Sequence, residues 1–163
     1  MNNMRYGQGL RVVPLLNSAA TDSTVSAFVN VDKANWVTFL MAMGANDTTT
    51  TITVQCCTAN STTGASLVAV PFRYRVSGEM GIDSWGAVTT ADSAGYALTS
   101  DYANVSLLID IDPQDLAGDS GLTADFKYLR LNIACTSYGA ANPTSVLAFL
   151  EPRYRRADPL SAS

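Results

Sequence analysis

The chain has 163 residues, a length that suits one domain with extended ends. Hydrophobic residues make up 47% of it, enough to form a core, so the composition excludes global disorder. Charged residues reach only 15%, against roughly 25% in typical soluble domains. The net charge of −4 argues against a nucleic-acid partner, which would require a basic patch.

The sequence contains no histidine. The commonest general base and the commonest metal ligand are therefore missing, and we expect neither an enzyme nor a cofactor. No apolar run approaches the roughly 18 residues of a membrane span, so we expect no membrane association. The first residues lack the apolar segment of a signal peptide, so we expect a protein that is made in a cytoplasm and either stays there or leaves by another route.

Short runs of β-branched and aromatic residues recur along the chain, separated by Gly, Asn, Asp, Ser and Pro. This pattern is typical of an all-β domain, and the spacing of the runs favours an antiparallel β-sandwich or barrel, jelly-roll-like in form. The predicted strands cover residues 10–16, 25–31, 36–43, 49–57, 65–76, 85–89, 96–99, 105–111, 126–135 and 144–150.

Two of these runs are apolar on both faces, at 36–43 and 146–150. Either they are central strands of a thick core, or their second face meets another subunit. On the second interpretation the candidate interface residues are Trp36, Phe39, Leu40, Leu147 and Phe149.

The ends are predicted to be arms, an N-terminal one at 1–9 and a C-terminal one at 153–163, flanking a sandwich domain at 10–152. The C-terminal arm concentrates Arg153, Tyr154, Arg155 and Arg156 beside two prolines. These side chains are candidate anchors on a partner, because Arg and Tyr are common at interface hot spots. The alternatives are a frayed tail or residues that close the last strand.

The three cysteines show no metal-binding spacing. Strand alternation places Cys56 and Cys135 on inward faces, where we expect small buried hydrophobes. It places Cys57 on the outward face, as an exposed thiol or a crosslink to another chain.

Three carboxylates, Asp110, Asp112 and Asp115, have a spacing similar to that of calcium ligands. However, Ile111 and Pro113 do not fit a calcium loop, and a capped turn after a strand explains all three acids. We therefore expect no metal site.

Several segments together resemble a known class of proteins. They are FRYRVSG (72–78), DSWGAVT (83–89), AGYALT (94–99), LIDIDP (108–113), YLRL (128–131) and EPRY (151–154). Over roughly residues 10 to 155 the chain resembles small β-rich structural proteins of tailed bacteriophages, of the capsid decoration or cement type. The resemblance implies a β-sandwich or barrel that often forms trimers on the capsid surface, with no active site.

The leading hypothesis is therefore a virion structural protein that binds the major capsid protein or other virion proteins as a homotrimer. A close variant places it in the neck, collar or tail. A second class is a carbohydrate-binding adhesin module, suggested by Trp36, Trp85 and the many surface hydroxyls. An enzyme that uses paired carboxylates ranks last, because the sequence singles out no such pair.

Overall fold

The computed structural model describes residues 10–19, 23–44, 49–61, 67–78, 84–99, 104–114, 116, 126–135 and 144–152. Their secondary structure is almost entirely β, as predicted. The strands are β1 (Arg11–Ala19), β2 (Ser23–Val25), β3 (Val29–Asn30), β4 (Ala34–Met43), β5 (Thr50–Cys57), β6 (Leu67–Val70), β7 (Phe72–Val76), β8 (Thr89–Ala91), β9 (Tyr96–Leu98), β10 (Val105–Ile111), β11 (Tyr128–Cys135) and β12 (Thr144–Pro152).

The strands form two antiparallel sheets. Sheet I has the order β1-β12-β4-β10-β7-β8, and sheet II has the order β2-β11-β5-β6. Two short strands complete sheet II, since β3 pairs with β11 and β9 pairs with β5. Sheet I thus contains the neighbours β1-β12-β4-β10, and sheet II contains the neighbours β2-β11-β5-β6. This distribution of the strands between two sheets is the strand order of a jelly roll.

The core lies between the two sheets and is built from every second residue of the long strands. In β4 the buried residues are Val37, Phe39, Met41 and Met43, while the residues between them are half-buried. The same alternation holds in β10 and β12, because successive side chains of a strand point to opposite faces. It also holds in most of β5 and β11, where the exceptions are Cys57, Arg130 and Cys135. The inward direction predicted for Cys56 is therefore confirmed.

An aromatic pair joins the two sheets near their shorter strands. Tyr74 comes from β7 in sheet I and Tyr96 from β9 in sheet II. Their rings stack with centroids 4.2 Å apart, and Phe72 lies 6.1 Å from Tyr74. This cluster packs against the core where the β7–β8 hairpin extends sheet I.

Two predicted strands are each divided into two. The run 65–76 breaks at Pro71, where the chain leaves sheet II as β6 and enters sheet I as β7. Proline has no N–H to donate to a sheet, so it suits such a crossing. The run 25–31 breaks between β2 and β3, and residues 26–28 occupy the gap. The run 85–89 is wrong as a strand, because only an isolated bridge links Trp85 to Ser77 before β8 begins at Thr89.

The predicted capped turn after β10 is present in its first part. The carboxylate of Asp112 accepts a hydrogen bond of 2.8 Å from the backbone N–H of Gln114. Asp115 and the predicted arms at 1–9 and 153–163 lie outside the described residues.

Candidate protein-interaction surface

The outer face of sheet I carries a row of apolar side chains that crosses four strands. Leu40 of β4 lies directly opposite Leu147 of β12 and Leu108 of β10. Pro14 of β1 extends the row on the far side of Leu147. All three leucines are half-buried and Pro14 is exposed. Every described strand belongs to one of the two sheets, so none of them forms a third layer over this row.

A second row runs beside the first. Phe149 of β12 is half-buried and lies opposite Val12 of β1, which is 50% exposed. Together the two rows form what we call the outer patch, which consists of Val12, Pro14, Leu40, Leu108, Leu147 and Phe149. Apolar side chains grouped in this way on a sheet face make it a candidate site of protein contact.

Arginines border the outer patch on the β7 side. The guanidinium carbon of Arg73 lies 4.9 Å from the centroid of the Trp36 ring, a cation–π arrangement. Arg75 lies next to Leu108 and reaches Asp110 with a nitrogen–oxygen distance of 4.0 Å. Thr38 fixes the same carboxylate through a hydrogen bond of 2.7 Å from its hydroxyl to Asp110 Oδ1.

The outer face of sheet II is different, because its polar side chains bond to one another. Arg130 donates from Nε to Gln55 Oε1 at 2.8 Å, and its guanidinium carbon lies 5.0 Å from the Phe28 ring centroid. Asn132 donates to the hydroxyl of Thr53 at 3.2 Å. These groups are satisfied within the chain, so of the two outer faces that of sheet I is better suited to bind protein.

Four predicted interface residues lie on the outer face of sheet I. Leu40, Leu147 and Phe149 belong to the outer patch, and Trp36 lies beside it under Arg73. Phe39 was a wrong prediction. It is fully buried between the sheets because it points to the opposite face of β4 from Leu40. The remaining predicted anchors, Arg153, Tyr154, Arg155 and Arg156, lie outside the described residues.

The sequence interpretation missed Leu108, Arg73 and Arg75 as members of this surface. Leu108 left a weak signal, since the adjacent pair Leu107-Leu108 interrupts the alternation of β10 and places one leucine on the outward face. The two arginines alternate with Phe72, Tyr74 and Val76 along β7, which places them on its outward face. Nothing local shows that β7 is the neighbour of β10.

The prediction of an exposed thiol at Cys57 is wrong. Cys57 does point outward from β5, but it is 0% exposed. The turn that follows the strand folds back over it, and its thiol donates a hydrogen bond of 3.6 Å to the carbonyl of Ser61. Alternation gives the direction of a side chain and says nothing of what covers it.

Of the other two cysteines, Cys56 lies in the core and Cys135 lies at the end of β11. Cys56 is buried, and burial raises the pKa of its thiol from 9.0 to about 11. Its thiol donates to the Val68 carbonyl at 3.3 Å. Cys135 faces inward as predicted but is only half-buried, because it is the last residue of β11; its sulfur lies 3.4 Å from the Thr50 hydroxyl oxygen. Its predicted full burial is therefore wrong.

A cavity of about 380 Å³ lies where β1 begins and β12 ends. Its lining includes Arg11, Lys33, Asp32, Asn30 and Pro152. All five are exposed, and the carboxylate partly offsets the two cations, so the lining does not define a specific ligand geometry.

No three His, Cys, Asp or Glu side chains among the described residues are grouped so that they could hold a metal ion. Within the same part of the chain no helix has the length and apolarity needed to cross a membrane. In comparisons with known proteins, the chain matches no family model, no curated protein and no solved structure.

Proposed function

We propose that the protein is a structural subunit of a bacteriophage particle, a capsid decoration or cement protein that assembles as a homotrimer and binds the major capsid protein. The observation that carries the proposal is the outer patch, an apolar face on a sheet whose other face already forms the core. The jelly-roll order supports it, because viral capsid domains commonly use this architecture. The resemblance of the segments quoted above supplies the phage context.

The first test is the oligomeric state at micromolar concentration, measured by sedimentation. We expect a trimer for the wild type and a smaller species for a double variant, Leu40→Gln with Leu147→Gln. The matched control is Val25→Gln, which alters an apolar residue that is 44% exposed on the outer face of sheet II. A monomeric wild type would contradict the assembly.

The second test is binding to the particle. Under this proposal, undecorated capsids are assembled from the major capsid protein of the same phage, mixed with the protein and separated by sedimentation. We expect the wild type to travel with the capsids. Wild-type protein that stays in the supernatant would contradict the decoration role. Antibody labelling of the neck or tail of the virion would instead support the variant hypothesis, in which the protein belongs to the neck, collar or tail.

The C-terminal segment is proposed to anchor the subunit on the particle. Residue 153 follows directly after β12, which contributes Leu147 and Phe149 to the outer patch. A variant with Arg155→Ala and Arg156→Ala should keep the fold and the trimer mass but bind capsids more weakly. Unchanged capsid binding would show that the anchor lies elsewhere.

A second candidate function is carbohydrate binding, since jelly rolls also form lectin domains. The observation that favours it is Trp85, which is 36% exposed and lies close in sequence to Val88, itself 53% exposed. Screening on a glycan array tests this function. Binding that disappears in Trp85→Ala would support it, and an array without binding would contradict it.

A further inference from the structure

The outer patch has two margins of opposite charge, and this difference indicates how one copy contacts the next. We infer that the Glu151 margin of one copy packs against the Arg73 and Arg75 margin of a neighbouring copy. The inference rests on the proposed function, in which the chain assembles as an oligomer. It specifies which surfaces of two copies form the interface, how the copies are oriented and which groups pair between them.

The arginine margin is incompletely satisfied within the chain. The side chain of Arg75 is 42% exposed, and its contact with Asp110, at 4.0 Å, is too long for a hydrogen bond. Its Nε is buried without a hydrogen-bond partner among the described residues. Arg73 is exposed and is positioned by the Trp36 ring. Two guanidinium groups held in this way suit a carboxylate, which Arg binds through two parallel hydrogen bonds.

The acidic margin is Glu151, near the end of β12. Glu151 is exposed and lies opposite Trp36 on the outer face. No ion pair joins Glu151 to another of the described residues. Its strand is three positions from β7 in sheet I. At about 4.8 Å per strand the backbones of Glu151 and Arg75 are at least about 14 Å apart, so Arg75 is separated from Glu151 of the same copy. Arg73, by contrast, extends over the Trp36 ring, which lies opposite Glu151.

Leu40 and Leu108 of the outer patch lie on the strands between these margins, so a contact that pairs the margins also buries apolar surface. Such a contact is head-to-tail, because it joins different parts of the two copies. A head-to-tail contact closes into a ring when its rotation permits. In a ring of three, every Glu151 margin meets an arginine margin.

Charge reversal tests the pairing. Glu151→Arg alone and Arg75→Glu alone each place like charges across the contact, and each should weaken association by about tenfold or more. The double variant, Glu151→Arg with Arg75→Glu, restores opposite charges and should recover the wild-type mass. Association of the wild type and of the double variant should both weaken as salt rises. Val25→Glu and Val25→Arg are the matched controls, since they change charge on sheet II.

The outcomes separate this inference from the proposed function. If the single variants keep the wild-type trimer mass, or the double variant stays dissociated while its urea unfolding matches that of the wild type, the pairing is wrong and the oligomer stands. If the wild type is itself a monomer, both the oligomer and the pairing are wrong. Recovery in the double variant alone supports the pairing.

Discussion

Ser26 and Leu131 exchange two hydrogen bonds at a point where sheet II has a gap. The backbone N–H of Ser26 donates to the Leu131 carbonyl at 2.9 Å, and the N–H of Leu131 donates to the Ser26 hydroxyl at 2.9 Å. The side chain of a buried serine thus takes the place of a backbone acceptor between β2 and β3. This arrangement satisfies a buried backbone group that would otherwise lack a partner.

Ser26→Ala should lower the free energy of unfolding by about 1–3 kcal/mol, because it leaves the buried N–H of Leu131 without an acceptor. Urea denaturation followed by circular dichroism measures the change. Ser84→Ala, at an exposed position, is the control and should stay within about 0.5 kcal/mol of the wild type. A loss no larger than that of the control would contradict the role of the hydroxyl.

Gly95→Ala should destabilise the fold by more than about 2 kcal/mol. Gly95 has a φ of +94°, and an added Cβ would clash with the Ile52 carbonyl and with Thr53 Cγ2. Gly78→Ala is the matched control, since a Cβ there would meet no atom within 4 Å. Thermal unfolding of the two variants compares them directly, and equal midpoints would contradict the prediction.

Alkylation of the native protein should modify Cys135 before the other two cysteines. Cys135 is half-buried at the end of β11, whereas Cys56 and Cys57 are both 0% exposed. Iodoacetamide treatment followed by peptide mass spectrometry gives the order of labelling. In urea all three thiols should react, which serves as the control. Labelling of Cys57 first would show that the turn at 58–61 does not cover it.

Stability should fall as the pH rises from about 9 to about 11, in part because of Cys56. The pKa of its thiol is 9.0 ordinarily and about 11 in the folded chain. Between these values the unfolded chain loses this proton and the folded chain keeps it, so unfolding becomes easier with rising pH. Cys56→Ala should show a shallower decline over that range in urea unfolding. An identical slope in both proteins would contradict this contribution.

The long strands could be predicted from the sequence because each combines a buried face with period-two alternation. This holds for β4, β5, β10 and β12, whose cores alternate residue by residue. The period-two alternation of side chains does not reveal where the chain crosses from one sheet to the other. The predicted run 65–76 keeps its β-branched and aromatic character through Pro71, and the change of sheet there depends on pairing partners far along the chain.

The candidate surface could be predicted only in part for the same reason. Leu40, Leu147 and Phe149 could be identified because a strand that is apolar on both faces can be recognised from its own segment of the sequence. The proximity of Arg73 to Trp36 depends on β7 and β4 both flanking β10, a relationship between distant segments. The pattern also could not separate Phe39 from Leu40, since both are apolar and only their directions differ.

The pairing of β1 with β12 has a consequence for the order of folding. Arg11 lies opposite Leu150, and β12 is the strand that joins β1 to β4. Until β12 is synthesised, β1 has no neighbour in sheet I and β4 keeps one open edge, a condition that favours association with other chains. Because this contact spans most of the sequence, loop closure makes it slow to form. A nascent chain therefore acquires its complete outer patch late, after most of its core residues have been made.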